Sequence, residues 1–301
     1  MRATFLSLIC VALLLPACNK ADMESANVPE KATNTASPAV ANTDQTETEL
    51  TKVSTASNVE EEWGTIKGTI VVTGDVPEPA KIKPAKDADF CGAKDPIFEN
   101  DLVVGKDGGL KNAFLFLSVG RKAQEPPIHP SYEKSAEDKI ELDNVNCMFV
   151  PHVVFLRTTQ KVLAKNSDPK GHNTQNNSRV NPFNPLIPPK GEVEIGLKGP
   201  EKLPTKITCN IHPWMKGYMI VRDEPYVAIT DENGNFEIKN MPEGEWQFQF
   251  WHERCGYMTG LESDGKPVME GRPATVTLKV TNGEVLDLGK LTIAADSLKG
   301  D

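Results

Sequence analysis

The chain has 301 residues, with 42 acidic against 33 basic side chains and a net charge of −9. Nucleic acid is bound through clustered lysine and arginine, so this acidic balance argues against it as a partner. Beyond the first eighteen residues no apolar run approaches the ~20 residues that a membrane-spanning helix needs.

The chain opens MRATFLSLICVALLLPAC: a charged start at Arg2, an apolar run from Phe5 to Leu15, and small Ala17 before Cys18. That is an export signal over 1–17, too short for a span. Its end, LPAC, resembles the lipobox of bacterial lipoproteins, which implies cleavage before Cys18 and acylation of that cysteine. A plain secretory signal with a free Cys18 is the alternative. Asn19 is not the aspartate that retains lipoproteins at the inner membrane, so the resemblance implies a periplasmic protein anchored to the outer membrane. Losing Arg2 with the signal takes the net charge from −9 to −10. Residues 18–62 are rich in Ala, Thr, Ser, Asn and Glu, with no aromatic side chain and no apolar period. Such a segment cannot bury enough surface to fold and reads as a flexible tether, with a reach of roughly 35 to 40 Å.

From Trp63 onward the texture is β. GTIKGTIVVTG, LKNAFLFLSV, KIELDNVNCMFV, HVVFLRTTQKVLAKN, EVEIGLK, TKITCNI, GYMIVRD, YVAITDENGNFEIKN, EWQFQFWH, ATVTLKV and LDLGKLTI alternate polar with apolar residues, and Gly, Pro, Asn and Asp mark the gaps. No long amphipathic helix is legible. Many short, evenly spaced strands predict an all-β protein built of β-sandwiches.

One stretch stands out, CNIHPWM, in which Cys209, His212 and Met215 follow one another at intervals of three. Upstream, the strands from Phe149 run into a polar loop, NSDPKGHN, that ends in His172-Asn173. Two imidazoles, a thiolate and a thioether in this order are the ligand set of a trigonal site with a weak axial sulfur. Zinc is the competing metal; it accepts Cys and His but rarely a thioether. If the soft residues were not ligands, Cys209 would be a disulfide half or a core thiol and His172 a solvated loop residue.

Residues 140–223 resemble a cupredoxin of the plastocyanin and amicyanin kind. The opening FVP, the NSDPKGHN loop and the C-x-x-H-P-W-M-x-G loop with its closing strand YMIVRD carry the likeness in order. The resemblance implies a Greek-key sandwich and one copper ion cycling between Cu(I) and Cu(II). It makes His172 and His212 the imidazole ligands, Cys209 the thiolate and Met215 the axial thioether. It also implies that Asn173 hydrogen-bonds across to the ligand loop. Pro213 stiffens that loop and leaves His212 near the surface, where Pro213 and Trp214 would form an apolar docking surface for brief encounters. Members usually carry an aromatic residue two places before the cysteine; here it is Ile207. Met219 is a conceivable competing thioether but falls in the closing strand, as a core residue would.

With Cys18 acylated and Cys209 on copper, three cysteines remain; Cys91 and Cys147 both lie upstream of the copper loops whereas Cys255 belongs to the last module, so these two are the expected pair, a Cys147–Cys255 link being the alternative, in a compartment that permits disulfides. Their link closes a loop of 55 intervening residues, worth on the order of 4 kcal/mol in chain entropy. Cys255 then stays unpaired; WHERCGYM adds His252 and Glu253, which could form a second metal site, or Cys255 is a small buried thiol. His129 and His152 have no partner legible in sequence. Residues 224–293 have a likeness of their own: YVAITDENGNFEIKNMPEGEWQFQFWHE is similar to carboxypeptidase regulatory-like, transthyretin-like sandwich modules, and ATVTLKVTNGEVLDLGKLTI would close that sandwich before a tail at 294–301. Residues 63–139 are either a separate sandwich or strands lent to a neighbour.

No nucleophile–base pair, paired acids at a cleft or phosphate loop is legible, so the expectation is an electron carrier and not an enzyme, exchanging electrons with transient donor and acceptor proteins. Copper storage or delivery by the same ligands is one alternative. A structural or adhesive surface lipoprotein with a vestigial copper loop is another.

Overall fold

The structure, a computed structural model, describes residues 63–118 and 125–299. Cys18, the signal before it and the tether lie outside the described residues. What is described is all-β: twenty strands and two short 3-10 turns, Pro130–Ser135 and Ala295–Leu298. No helix among the described residues is long and apolar enough to cross a membrane.

Alternation explains most of the strands. Phe236, Ile238 and Met241 of Asn235–Met241 are buried, whereas Asn235, Glu237 and Lys239 face solvent. Phe114–Leu117 breaks the rule, with all four residues buried. Its two faces feed two different cores: Leu115 and Leu117 join Ile66, Phe236 and Phe248 on one side, whereas Phe114 and Phe116 join Val153, Ile220 and Trp251 on the other. A strand covered on both faces reads as an unbroken apolar run.

Four sheets therefore stack, with three apolar cores between them. The first runs Asn235–Met241, Gly64–Thr73, Val285–Ala294, Glu262–Ser263, Lys266–Pro267 in hydrogen-bonded order, and the second Val227–Ile229, Phe114–Leu117, Gly244–His252, Gly256–Tyr257, with Val276–Val280 also paired to Gly244–His252. The third runs Val153–Arg157, Lys216–Arg222, Thr205–Thr208, Gln175–Asn176, and the fourth Glu192–Gly196, Lys161–Asn166, Lys139–Val145, Met148–Val150. Lys216–Arg222 repeats the two-faced pattern, sending Met219 and Val221 into the core between the third and fourth sheets and Ile220 toward the second. Met219 is thus a core residue.

The pairing answers what sequence leaves open about the N-terminal region. Gly64–Thr73 lies between Asn235–Met241 and Val285–Ala294, antiparallel to the first and parallel to the second. Phe114–Leu117 lies between Val227–Ile229 and Gly244–His252. The C-terminal segment does not close a sandwich by itself: two pairs of its strands meet only through strands from the other end of the chain. The sandwich of residues 139–222 is inserted between the two halves of this one.

Between Gly64–Thr73 and Phe114–Leu117 the chain makes a long excursion. Lys81 and Phe98 bridge its two arms, and at its tip the carbonyl of Asp87 accepts the N–H groups of Phe90 and Cys91 in a helical turn. Cys91 is joined there to Cys147 of the inserted sandwich, with Cα atoms 5.4 Å apart. Cys147 sits in the Asn146-Cys147 turn linking Lys139–Val145 to Met148–Val150, both residues in the left-handed region at φ 50° and 58°. That conformation matches the tight primed turns of hairpins.

Candidate metal centre

His172, Cys209 and His212 come together at one end of the inserted sandwich. The Nδ1 atoms of His172 and His212 are 2.9 Å apart. Cys209 Sγ lies 3.9 Å from the first and 3.8 Å from the second. All three side chains are buried.

Each is placed by local chemistry. His172 ends the NSDPKGHN loop, which folds around Asn166: its Nδ2 donates to the carbonyls of Lys170 (2.8 Å), Ile187 (3.1 Å) and Pro188 (3.0 Å), and its Oδ1 accepts the N–H of Asp168 (3.0 Å). His172-Asn173 then pairs with Leu186–Ile187. Cys209 follows Thr205–Thr208, and its loop closes on itself: the Met215 N–H donates to the His212 carbonyl at 2.9 Å and the Cys209 N–H to the Met215 carbonyl at 3.4 Å. Gly217 is needed just beyond, because a Cβ there would come within 2.7 Å of the His152 carbonyl oxygen. Asn173 ties the two loops, its Oδ1 accepting from the Asn210 N–H at 2.8 Å and from the Cys209 thiol at 3.4 Å. Met215 is buried in the same core as Cys209.

The outer edges of both imidazoles face carboxylates. His172 Nε2 is 2.9 Å from Asp168 Oδ2, and His212 Nε2 is 2.9 Å from Asp87 Oδ2. A carboxylate only accepts and a neutral imidazole carries one N–H, so the proton of each ring belongs on Nε2. Both Nδ1 lone pairs of the neutral rings then face each other across 2.9 Å, a repulsion that a shared metal ion or a proton relieves. A metal with bonds of about 2.0 Å to nitrogen and about 2.3 Å to sulfur fits among donors so spaced.

The electrostatics agree with this donor set. Burial pushes the Cys209 thiol up, but His172 and the N–H groups of Asn173, His212 and Ile211 outweigh it and bring it below its ordinary range. Burial, with His172 adding, holds His212 below the ordinary imidazole range despite Asp87. For His172 burial is outweighed by Asp168 and Cys209, which raise it. The hydrogen bond with His212 holds Asp87 below the carboxylate range.

One expectation fails. His212 is not near the surface: its side chain is 0% exposed, because Asp87 and its turn lie over the edge that the loop alone would leave open. Pro213 is exposed and Trp214 half-buried; the Trp214 ring is 5.2 Å from that of His212, and its Nε1 donates to the Cys147 carbonyl at 3.1 Å.

Asp87 and Asp168 escape a reading of the sequence. Asp168, four places before a candidate ligand histidine in a loop otherwise suited to solvent, is a signal that could have been used. Asp87 has none, standing 125 positions before His212. Cys255 is a free, half-buried thiol that burial pushes up to about 11, and it joins no metal-ligand cluster among the described residues. Glu253 pairs with His152, and His129 caps the Pro130–Ser135 turn by accepting the Ser131 N–H.

No protein-family model matches the chain, and no curated protein matches it. Among solved structures, part of the chain is similar to a Cu-containing nitrite reductase from Thermus scotoductus, at 23% identity and a TM-score of 0.26 over 35% of this chain. The alignment spans only 24% of the reductase's own length. A reduced amicyanin variant aligns at 14% identity and a TM-score of 0.26, over 36% of this chain and 98% of that one. A purple cupredoxin from Nitrosopumilus maritimus aligns at 22% identity and a TM-score of 0.25, over 28% and 99%.

Proposed function

We propose that this protein is an electron carrier holding one copper ion through His172, Cys209, His212 and Met215. The observation that carries the reading is the convergence of Cys209 Sγ and two imidazole Nδ1 atoms within 3.9 Å of one another in a buried, closed loop. Bound there, copper supplies a one-electron couple between Cu(I) and Cu(II). The chain's part is to keep the ligands in place while charge changes: His172 and His212 are each held by a carboxylate, Asn173 bridges the two loops, and burial keeps water from the donors. Thiolate, two imidazoles and a thioether suit both oxidation states. Partners would dock briefly at Pro213 and Trp214, where the half-buried indole beside His212 offers the electrons a path to the surface.

The ligand set also suits copper storage or delivery, and the full burial of both imidazoles favours that second reading, because no bare imidazole edge is presented to a redox partner. Titration with Cu(II), followed by visible and electron paramagnetic resonance spectra, tests the site: one equivalent giving an intense visible band supports it, and no stoichiometric uptake sinks it. A measured self-exchange rate then separates carrier from store. We place the protein in the periplasm, acylated at Cys18 on the outer membrane; a Cys18→Ser chain that stays with the membrane fraction would count against the anchor.

A further inference from the structure

Both carboxylates behind the imidazoles are organised around the same disulfide. Asp168 is buried and accepts three N–H groups: His172 Nε2–H at 2.9 Å, the Asn146 N–H at 2.7 Å and the Cys147 N–H at 2.8 Å. Asp87 accepts from His212 Nε2–H through its side chain and from the Cys91 N–H, at 2.8 Å, through its carbonyl. Cys91 and Cys147 are bonded to each other, and their sulfurs lie within 4.8 Å of a ring nitrogen of His212. One covalent link therefore joins the hairpin turn gripped by Asp168 to the excursion that carries Asp87. Lys170, from the same loop as His172, adds an ion pair to Asp87 at 3.4 Å.

We infer that Asp87 and Asp168 are positioning residues that select the Nδ1-ligating tautomer of His212 and His172, and that the Cys91–Cys147 disulfide is the staple holding Asp87 over the His212 edge. The consequence for metal rests on the copper reading above; the choice of tautomer does not. A carboxylate on the far nitrogen fixes ring orientation and strengthens the ligand nitrogen, and its loss typically costs 10–100-fold in metal affinity. Two extra negative charges behind the rings also favour the more positive oxidation state, so removing one should raise the reduction potential.

The test is made on the full-length protein labelled with ¹⁵N, metal-free and at mildly alkaline pH, where long-range proton–nitrogen correlation spectra report which ring nitrogen carries the proton. The wild type should show Nε2–H on both rings. Asp87→Ala should alter His212 alone and Asp87→Glu should restore it; Asp168→Asn should alter His172 alone. Asp87 is a quarter exposed, so its replacement should disturb the fold less than that of the buried Asp168 and keeps the test decisive even if the Asp168 variant does not fold. Affinities for Cu(II) and for Zn(II), measured against a competing chelator, should fall 10–100-fold in Asp87→Ala with stoichiometry unchanged. Replacing both Cys91 and Cys147 by Ser should cost a similar factor, and adding Asp87→Ala should cost little more. An unchanged His212 tautomer in Asp87→Ala, or an unchanged affinity, overturns the inference. A wild type with the expected tautomers that binds neither ion supports the positioning role and sinks the copper reading.

Discussion

The Cys209–Met215 loop and the Asp87–Cys91 turn meet at the same imidazole, yet they are built on different principles. The proposed ligand loop is local: three soft side chains three residues apart, closed by the Met215 N–H on the His212 carbonyl and stiffened by Pro213. The turn is remote: it contributes Asp87 to the site, and a disulfide joins it to a hairpin 56 positions further along the chain. A site can thus have most of its candidate donors specified within a few residues while its electrostatics and solvent access depend on a distant segment. His212 illustrates this, since the loop alone would leave its outer edge open and the turn buries it.

The sharpest way to break the comparison is at the thiolate. Cys209→Ser should abolish the visible charge-transfer band of the copper-loaded protein entirely, even if some copper still binds through His172 and His212, and His172→Ala should lose or loosen the metal. Retention of the band in Cys209→Ser would mean that the local loop is not the metal site at all.

The turn should matter first for stability. Reducing or removing the Cys91–Cys147 bond should cost on the order of 4 kcal/mol, by the chain entropy of its loop, measured by denaturant unfolding with and without reductant. A change under ~1 kcal/mol would show that the excursion is held by its other contacts and that the staple is dispensable.

Acid should also act at a place away from both regions, which provides a contrast. His252 is buried, and burial pushes it down to about 4, below the ~6.5 of an unfolded chain. As pH falls the unfolded state takes up this proton first, so the stability it represents is complete above about pH 6.5 and is lost between there and about pH 4. At most about 3 kcal/mol is at stake. Unfolding of the wild type and His252→Gln at neutral and acid pH should show the variant losing less on acidification; equal losses would remove His252 from the account.

The smallest effect is expected at the axial position. Met215→Leu should keep its copper while the potential rises, since a weak donor to the more charged Cu(II) state is gone, and Cys255→Ser should leave the spectrum untouched. Loss of metal in Met215→Leu would make the thioether as necessary as the in-plane ligands.

Whatever depended on period or close spacing could be read along the chain. Alternation in segments such as Asn235–Met241 announced strands, because one covered face selects apolar residues at every second place. The apolar run FLFL announced a strand buried on both sides only once the second core was visible. The interval of three from Cys209 to His212 and to Met215, with His172-Asn173 closing the upstream loop, marked these residues as candidate donors, and the fold brings His172, Cys209 and His212 together. Of the three thiols left over, Cys91 and Cys147 were the expected pair because both lie upstream of the copper loops whereas Cys255 belongs to the last module, and they are joined. Tertiary structure alone decided that Gly64–Thr73 lies between Asn235–Met241 and Val285–Ala294, because a pairing across that separation leaves no local mark on composition. It also decided that Asp87 faces His212 Nε2 and closes the surface edge, since an aspartate in a polar turn reads the same whether it faces water or an imidazole.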